Sequence, residues 1–205
     1  MVDGPLTGKV AIVTGSGSNP GLGRVIALAL AGAGASVAMT DVDRDGLERC
    51  ANEVRELAGD DAVLPIVADA SVPADAERTV LETIDGLGGL HILVNNAGIS
   101  VASAGLGGQR DQKVWEIEPE AWARVIAVNL GGAFLMSRAA IPHLMAQGWG
   151  RIISVTTSLD TMIRGSNTPY GPSKAAHEAL LSAMAQELDG TGVTANVLIP
   201  GGGAD

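Results

Sequence analysis

Aromatic side chains are scarce: Phe, Tyr and Trp make up 2% of the 205 residues, although 46% of the chain is hydrophobic. A core with so few rings must be packed from valine, isoleucine, leucine and alanine, as buried parallel sheets are. A single cysteine, Cys50, excludes an internal disulfide and fits a reducing, cytoplasmic setting. Cys50 falls on an expected amphipathic helix, where inert packing is the simpler role than nucleophile. Acidic residues outnumber basic ones 23 to 13, the net charge is −10, and there is no basic stripe of the kind that binds nucleic acid. The acidity otherwise serves solubility. No basic stretch followed by an apolar core marks a signal peptide at the N-terminus. The uncharged run 91–109 contains Asn95, Asn96 and several glycines, which excludes a membrane span there. No repeat, low-complexity tract, linker or metal site is apparent, and the length suits one α/β domain.

Strand and helix patterns alternate to the end of the chain. Strands are expected near 9–13, 36–40, 62–67, 91–94, 151–155 and 193–199. Helices are expected near 22–33, 44–58, 73–86, 119–146 and 169–189. Such alternation implies a doubly wound, Rossmann-type parallel sheet covered by helices on both faces. Pro142 should kink the long helix or weaken a backbone bond there. The Gly/Ser/Ala-rich stretch after Gly98 reads as a mobile loop running to about Glu118.

The first of these units carries a specific pattern. Lys9–Val13 is a short apolar strand, followed by Thr14-Gly-Ser-Gly-Ser-Asn-Pro-Gly-Leu-Gly23 and an Ala-rich helix from Arg24. A second strand, Ser36–Thr40, ends at Asp41. Strand, glycine-rich turn, helix, strand and then a carboxylate is the order of a dinucleotide-binding unit. The glycines let backbone N–H groups approach a pyrophosphate at the helix N-terminus, where the macrodipole favours anions. Asp41 is placed to accept hydrogen bonds from the adenosine ribose and would repel a 2′-phosphate, which favours NAD over NADP. It could equally cap the next helix, as could Asp43. Arg24, directly after the glycines, is the feature that speaks for NADP.

Tyr170 and Lys174 lie four residues apart on an expected helix, so they share one face. A phenol titrates near 10, and bringing it to about 7 takes roughly 4 kcal/mol. A cation about 4 Å away at an effective dielectric of about 20 supplies on the order of that amount. The pair therefore has the makings of a proton donor and acceptor at neutral pH.

These residues together resemble the short-chain dehydrogenase/reductase family. The resemblance covers nearly the whole chain: Thr14-Gly15 with Gly21-x-Gly23, Asp41, Asp69-Ala70, Asn95-Asn96-Ala97-Gly98, Asn129, the Tyr170/Lys174 pair and Pro200-Gly201. It implies reversible hydride transfer between nicotinamide and a secondary alcohol or ketone, with Tyr170 as general acid and base. Lys174 would lower the tyrosine pKa and bind the nicotinamide ribose, and Asn129 would hold the lysine through an ordered water. Gly15, Gly17, Gly21, Leu22 and Gly23 would surround the pyrophosphate. Asp69 and Ala70 would meet the adenine, unless Asp69 only caps the helix before Pro73. Asn96, Ala97 and Gly98 would line the cofactor, or serve only as a polar turn, and Pro200 and Gly201 would face the nicotinamide. The family also implies a cytoplasmic homodimer or homotetramer. An NADPH-dependent 3-oxoacyl carrier-protein reductase is the alternative activity, and a catalytically silent nucleotide-binding protein a further one.

Three departures stand out. Five residues, Ser16 to Pro20, separate Thr14-Gly15 from Gly21-x-Gly23, where the family usually has three. The substrate-orienting serine expected before the tyrosine is replaced by a choice between Thr157 and Ser158, with Ser158 slightly preferred. Family members normally continue past the last placeable strand, so the dinucleotide-binding domain over 1–205 is expected to be incomplete at its C-terminal end. Residues 109–115, Met162 and Arg164 are pocket neighbours or ordinary surface.

Overall fold

A computed structural model of the chain describes residues 3–103 and 112–200. Gly201, and residues 109–111 of the expected pocket loop, lie outside this range. Six parallel strands form one sheet: β1 (Val10–Thr14), β2 (Ser36–Asp41), β3 (Val63–Val67), β4 (Ile92–Asn95), β5 (Gly150–Val155) and β6 (Val193–Leu198). Their spatial order is β3-β2-β1-β4-β5-β6. The order reverses between β1 and β4, so the loops leaving those strands diverge and open a crevice at the C-terminal edge.

Strand side chains alternate between faces, and here both faces are dry. Ala11 and Val13 of β1 pack with Val37 and Met39 against α1 (Leu22–Gly32) and α2 (Arg44–Ala58). Ile12 points the other way, into a second core with α3 (Pro73–Leu87) and residues Met136 and Leu181. Ala27 and Ala31, one turn apart in α1, are fully buried. Small side chains there let the helix lie close to the sheet, which explains its alanine content.

The apolar segment 119–146 is divided into α4 (Pro119–Ile126), a wide π turn over Ala127–Gly131, and α5 (Gly132–Ala146). By length and hydropathy it is a candidate membrane span. Its apolarity has a local cause, because Val125, Met136, Ala140 and Leu144 are buried in the protein. α5 runs through Pro142 to Ala146, where the proline has no N–H for the helical bond, and the change of helical type sits around Asn129. Periodicity also missed two short 3₁₀ turns, Asp60–Ala62 and Val114–Glu116, and the single-turn α6 (Leu159–Met162). The last helix, α7 (Tyr170–Glu187), opens on the tyrosine singled out above.

Candidate active site

Two adjoining cavities, about 340 and 360 Å³, run along the C-terminal edge of the sheet and share Leu22, Asn96 and Gly98. The first is lined at one end by Gly15 and Gly21 and at the other by Asp41, Asp69 and Ala70, with Ala97 also exposed to it. The second collects Thr157, Ser158, Tyr170, Lys174 and Pro200. Loops from all six strands thus bring most of the sequence-selected residues to one cleft.

The glycine turn departs from expectation. Its extra residues fold down onto β2: Ser16 N–H donates to Thr40 O at 3.0 Å, and Ser16 Oγ reaches the Val13 and Thr40 carbonyls. Gly17 N–H donates to Asp41 Oδ2 at 2.8 Å. A Cβ on Gly17 would sit 2.9 Å from the Asp41 carboxyl carbon, so glycine is required for this contact. Gly17 therefore braces Asp41 and does not line the cleft. Gly23 is likewise buried behind the turn. Gly15 has φ +67°, and its Cβ would meet Ala97 Cα at 2.7 Å; this close approach joins the β1 and β4 loops into one floor.

Asp41 also accepts Asp43 N–H at 3.1 Å, so its orientation is fixed from two sides. It caps the turn into α2 rather than the helix itself, whose N-cap Asp43 makes no side-chain capping bond. Arg24 is not in the cleft. Its guanidinium pairs with Glu53 of α2 through Nε–Oε1 at 2.8 Å and a second, shorter contact. The feature that spoke for NADP is thus directed at a neighbouring helix. Cys50 is buried with Sγ 3.9 Å from Ser18 O, and burial pushes its thiol up, consistent with packing.

At the other end, Lys174 is 2% exposed and donates from Nζ to Val155 O at 2.8 Å. Burial lowers its pKa to about 8. Nζ lies 5.8 Å from the centre of the Tyr170 ring, and burial raises the tyrosine pKa above its ordinary value. Burial in this low-polarity setting works against the phenolate and the ammonium alike.

Asn129 is fully buried in the π turn. Oδ1 accepts Ile99 N–H at 2.7 Å, while Nδ2 donates to Ile99 O at 3.0 Å and Ser173 Oγ at 2.9 Å. The amide thus pins the β4 loop to α7, and a Cβ on Gly98 would fall 3.2 Å from Lys174 Nζ and 3.5 Å from Asn129 Oδ1. Ser158 is the N-cap of α6 and its Oγ is 3.0 Å from Thr161 Oγ1. Thr157 makes no side-chain hydrogen bond among the described residues, which leaves its hydroxyl uncommitted. His177 is buried one turn beyond Lys174, with Nε2 2.9 Å from Ser154 Oγ, and burial plus the lysine charge lower its pKa to about 4. Arg124, on α4, lines the first cavity beside Asp69. Sequence reasoning missed it, because an arginine on an amphipathic helix gives no local sign of which loop it meets.

The family model described as short chain dehydrogenase matches residues 9–204. The chain belongs to that family. Short-chain dehydrogenases are oxidoreductases, and so is this protein. It is 37% identical over 204 residues to a short-chain type dehydrogenase/reductase of Picea abies, covering 96% of this chain and 71% of the relative. Among solved structures it is similar to 3-ketoacyl-(acyl-carrier-protein) reductase from Brucella melitensis complexed with NADH, at TM-score 0.84 and 34% identity over 95% of this chain and 75% of that one. NAD+-bound xylitol dehydrogenase gives TM-score 0.86 and 29% identity, covering 97% and 73%. These relatives support a nicotinamide cofactor.

Proposed function

We propose that the protein is an NAD(H)-dependent oxidoreductase that interconverts a secondary alcohol and a ketone, with Tyr170 as the proton donor and acceptor. The observation that carries the reading is the convergence of Tyr170, Lys174 and Thr157 on one cavity that continues into the glycine-lined cleft. The cleft fits a dinucleotide: α1 begins at Gly21 without a side-chain cap, leaving its first N–H groups for phosphate. Asp41 is oriented by Gly17 and Asp43 to receive the ribose hydroxyls, and Arg24 is held by Glu53 away from any 2′-phosphate. Bound there, the nicotinamide supplies or takes up the hydride.

The chain's own residues handle the proton and the geometry. Thr157 Oγ1 orients the substrate oxygen, since Ser158 is occupied in capping α6. Tyr170 Oη gives a proton to that oxygen in reduction and removes it in oxidation. Lys174 places a positive charge beside the phenol, and Asn129 acts through Ile99 and Ser173 to hold the loop and helix in register. Fixing these groups together is the entropic part of catalysis.

The alternative, a reductase of 3-oxoacyl carrier-protein substrates, draws support from the likeness to the Brucella enzyme. The NADPH dependence of this alternative runs against the Asp41 and Arg24 geometry, and the Brucella structure itself holds NADH. Exposed Trp122 and Phe134 on α4 and α5 support the further reading of a homodimer or homotetramer. The deciding experiment is a fluorescence titration with NADH and NADPH, with Tyr170→Phe beside the native protein. NADH should bind more tightly than NADPH, and the variant should keep that affinity while losing about 10²–10⁴-fold in turnover. NADPH preference would overturn the cofactor assignment. Parallel loss of binding and turnover in the variant would overturn the role of Tyr170.

A further inference from the structure

At its β3 end the first cavity is walled by Val42, Ala68, Ala70 and Val128, with Asp69 and Arg124 as its charged side chains. Arg124 reaches this point from α4, 55 residues along the chain from Asp69. Its guanidinium is divided between two acceptors: Nη2 donates to Asp69 Oδ2 at 2.9 Å and Nη1 to Ser71 Oγ at 3.0 Å. Ser71 in turn donates to Asp69 Oδ1 from Oγ at 2.6 Å and from its N–H at 2.9 Å. The Asp69 backbone is held as well, its N–H donating to Asp75 Oδ2 at 2.9 Å, and Asp75 is paired with Arg78. Burial alone would raise the Asp69 carboxyl, but the Ser71 and Arg124 hydrogen bonds outweigh it and keep the group ionised.

A carboxylate offers about four lone-pair positions. Three donors occupy this one, two of them on Oδ1, so Oδ2 keeps room for one more. With phosphates at α1 and ribose at Asp41, as the dinucleotide reading requires, the base falls between the end of β3 and α4. Apolar walls suit its faces, and a fixed acceptor suits an amino group on its edge. We infer that Arg124 is a positioning residue for base recognition: by clamping Asp69 together with Ser71, it selects adenine over a base bearing an oxygen at the same place. Hypoxanthine differs from adenine in that way, and its oxygen would face the carboxylate without a proton between them.

The test compares NADH with reduced nicotinamide hypoxanthine dinucleotide by nicotinamide fluorescence. Native protein should bind NADH about tenfold more tightly, the size of one hydrogen bond to a charged acceptor. Arg124→Gln should shrink that ratio to about twofold or less, and Ser71→Ala, which removes the other half of the clamp, should shrink it partly. Arg124→Lys keeps the charge without the fork, and should fall between native and Arg124→Gln. A ratio unchanged in Arg124→Gln, or equal weakening of both nucleotides, would overturn the inference and leave Arg124 an ordinary surface ion pair. Folded native protein that binds NADH and its hypoxanthine analogue equally would overturn this inference and leave the dinucleotide reading standing. Failure to bind either would overturn the dinucleotide reading and this inference with it.

Discussion

Replacing Lys174 by methionine should inactivate the protein and stabilise it. The side chain is 2% exposed, and burial takes its pKa from an ordinary 10.5 to about 8. A base whose folded pKa lies below its unfolded one binds its proton less well when folded, so stability rises with pH between the two values. At pH 7 the buried ammonium costs about 3 kcal/mol, from a displacement of about 2.5 pKa units at 1.36 kcal/mol each. Methionine removes that cost at similar volume, and gives up the hydrogen bond to Val155 O, worth about 1 kcal/mol. The net expectation at pH 7 is a gain of about 2 kcal/mol, read by urea denaturation. As pH rises through 8 towards 10.5 the native lysine loses its proton, and the gain should shrink by about 2 kcal/mol by pH 9.5. A variant less stable than native at pH 7, with a pH curve parallel to native, would refute the reasoning. Under the proposed function, Lys174 holds activity against stability, as charged groups in buried sites often do.

The same linkage applies on the acid side at His177, whose pKa is lowered to about 4 from 6.5. Stability should fall as pH drops from 6.5 to 4, by about 3 kcal/mol from this group, and His177→Met should flatten that limb in denaturant titrations. An unchanged acid limb in the variant would count against a buried neutral imidazole. At Gly15, alanine meets both a positive φ and the Ala97 backbone, whereas at Gly8, φ +77°, a Cβ meets nothing within 4 Å. Gly8→Ala should cost about 1 kcal/mol and Gly15→Ala at least about 2 kcal/mol more, with weakened NADH binding only in the latter. Equal costs would mean that the β1 and β4 loops do not meet as described.

Much of the molecule was legible because its signals are local. Apolar runs of strand length alternating with helical periods dictated six strands and their covering helices, and right-handed crossovers leave few ways to order them. Glycines directly before a helix marked the end of the cleft proposed to take phosphate, and the four-residue spacing placed Tyr170 and Lys174 on one face. The composition foretold an aliphatic core, since no other side chains were present to build one.

What the sequence left open depends on contacts between distant segments. Spacing put a cation near Tyr170, yet only packing shows that Lys174 is buried against Val155, where desolvation works against both charges. The surroundings of Thr157 and Ser158 depend on a single turn of helix after β5, which uses the Ser158 hydroxyl as its cap. Arg24 followed the glycines in sequence but faces Glu53 across α1 and α2. The longer glycine turn owes its shape to a contact across β1 and β2, in which Gly17 braces Asp41. Arg124 meets Asp69 because α4 crosses the end of β3, and no periodicity within either segment encodes that crossing. Local chemistry thus determined the elements and the candidate catalytic pair; tertiary packing, through burial and long-range hydrogen bonds, decided which side chains carry charge, where they point and which are free to act.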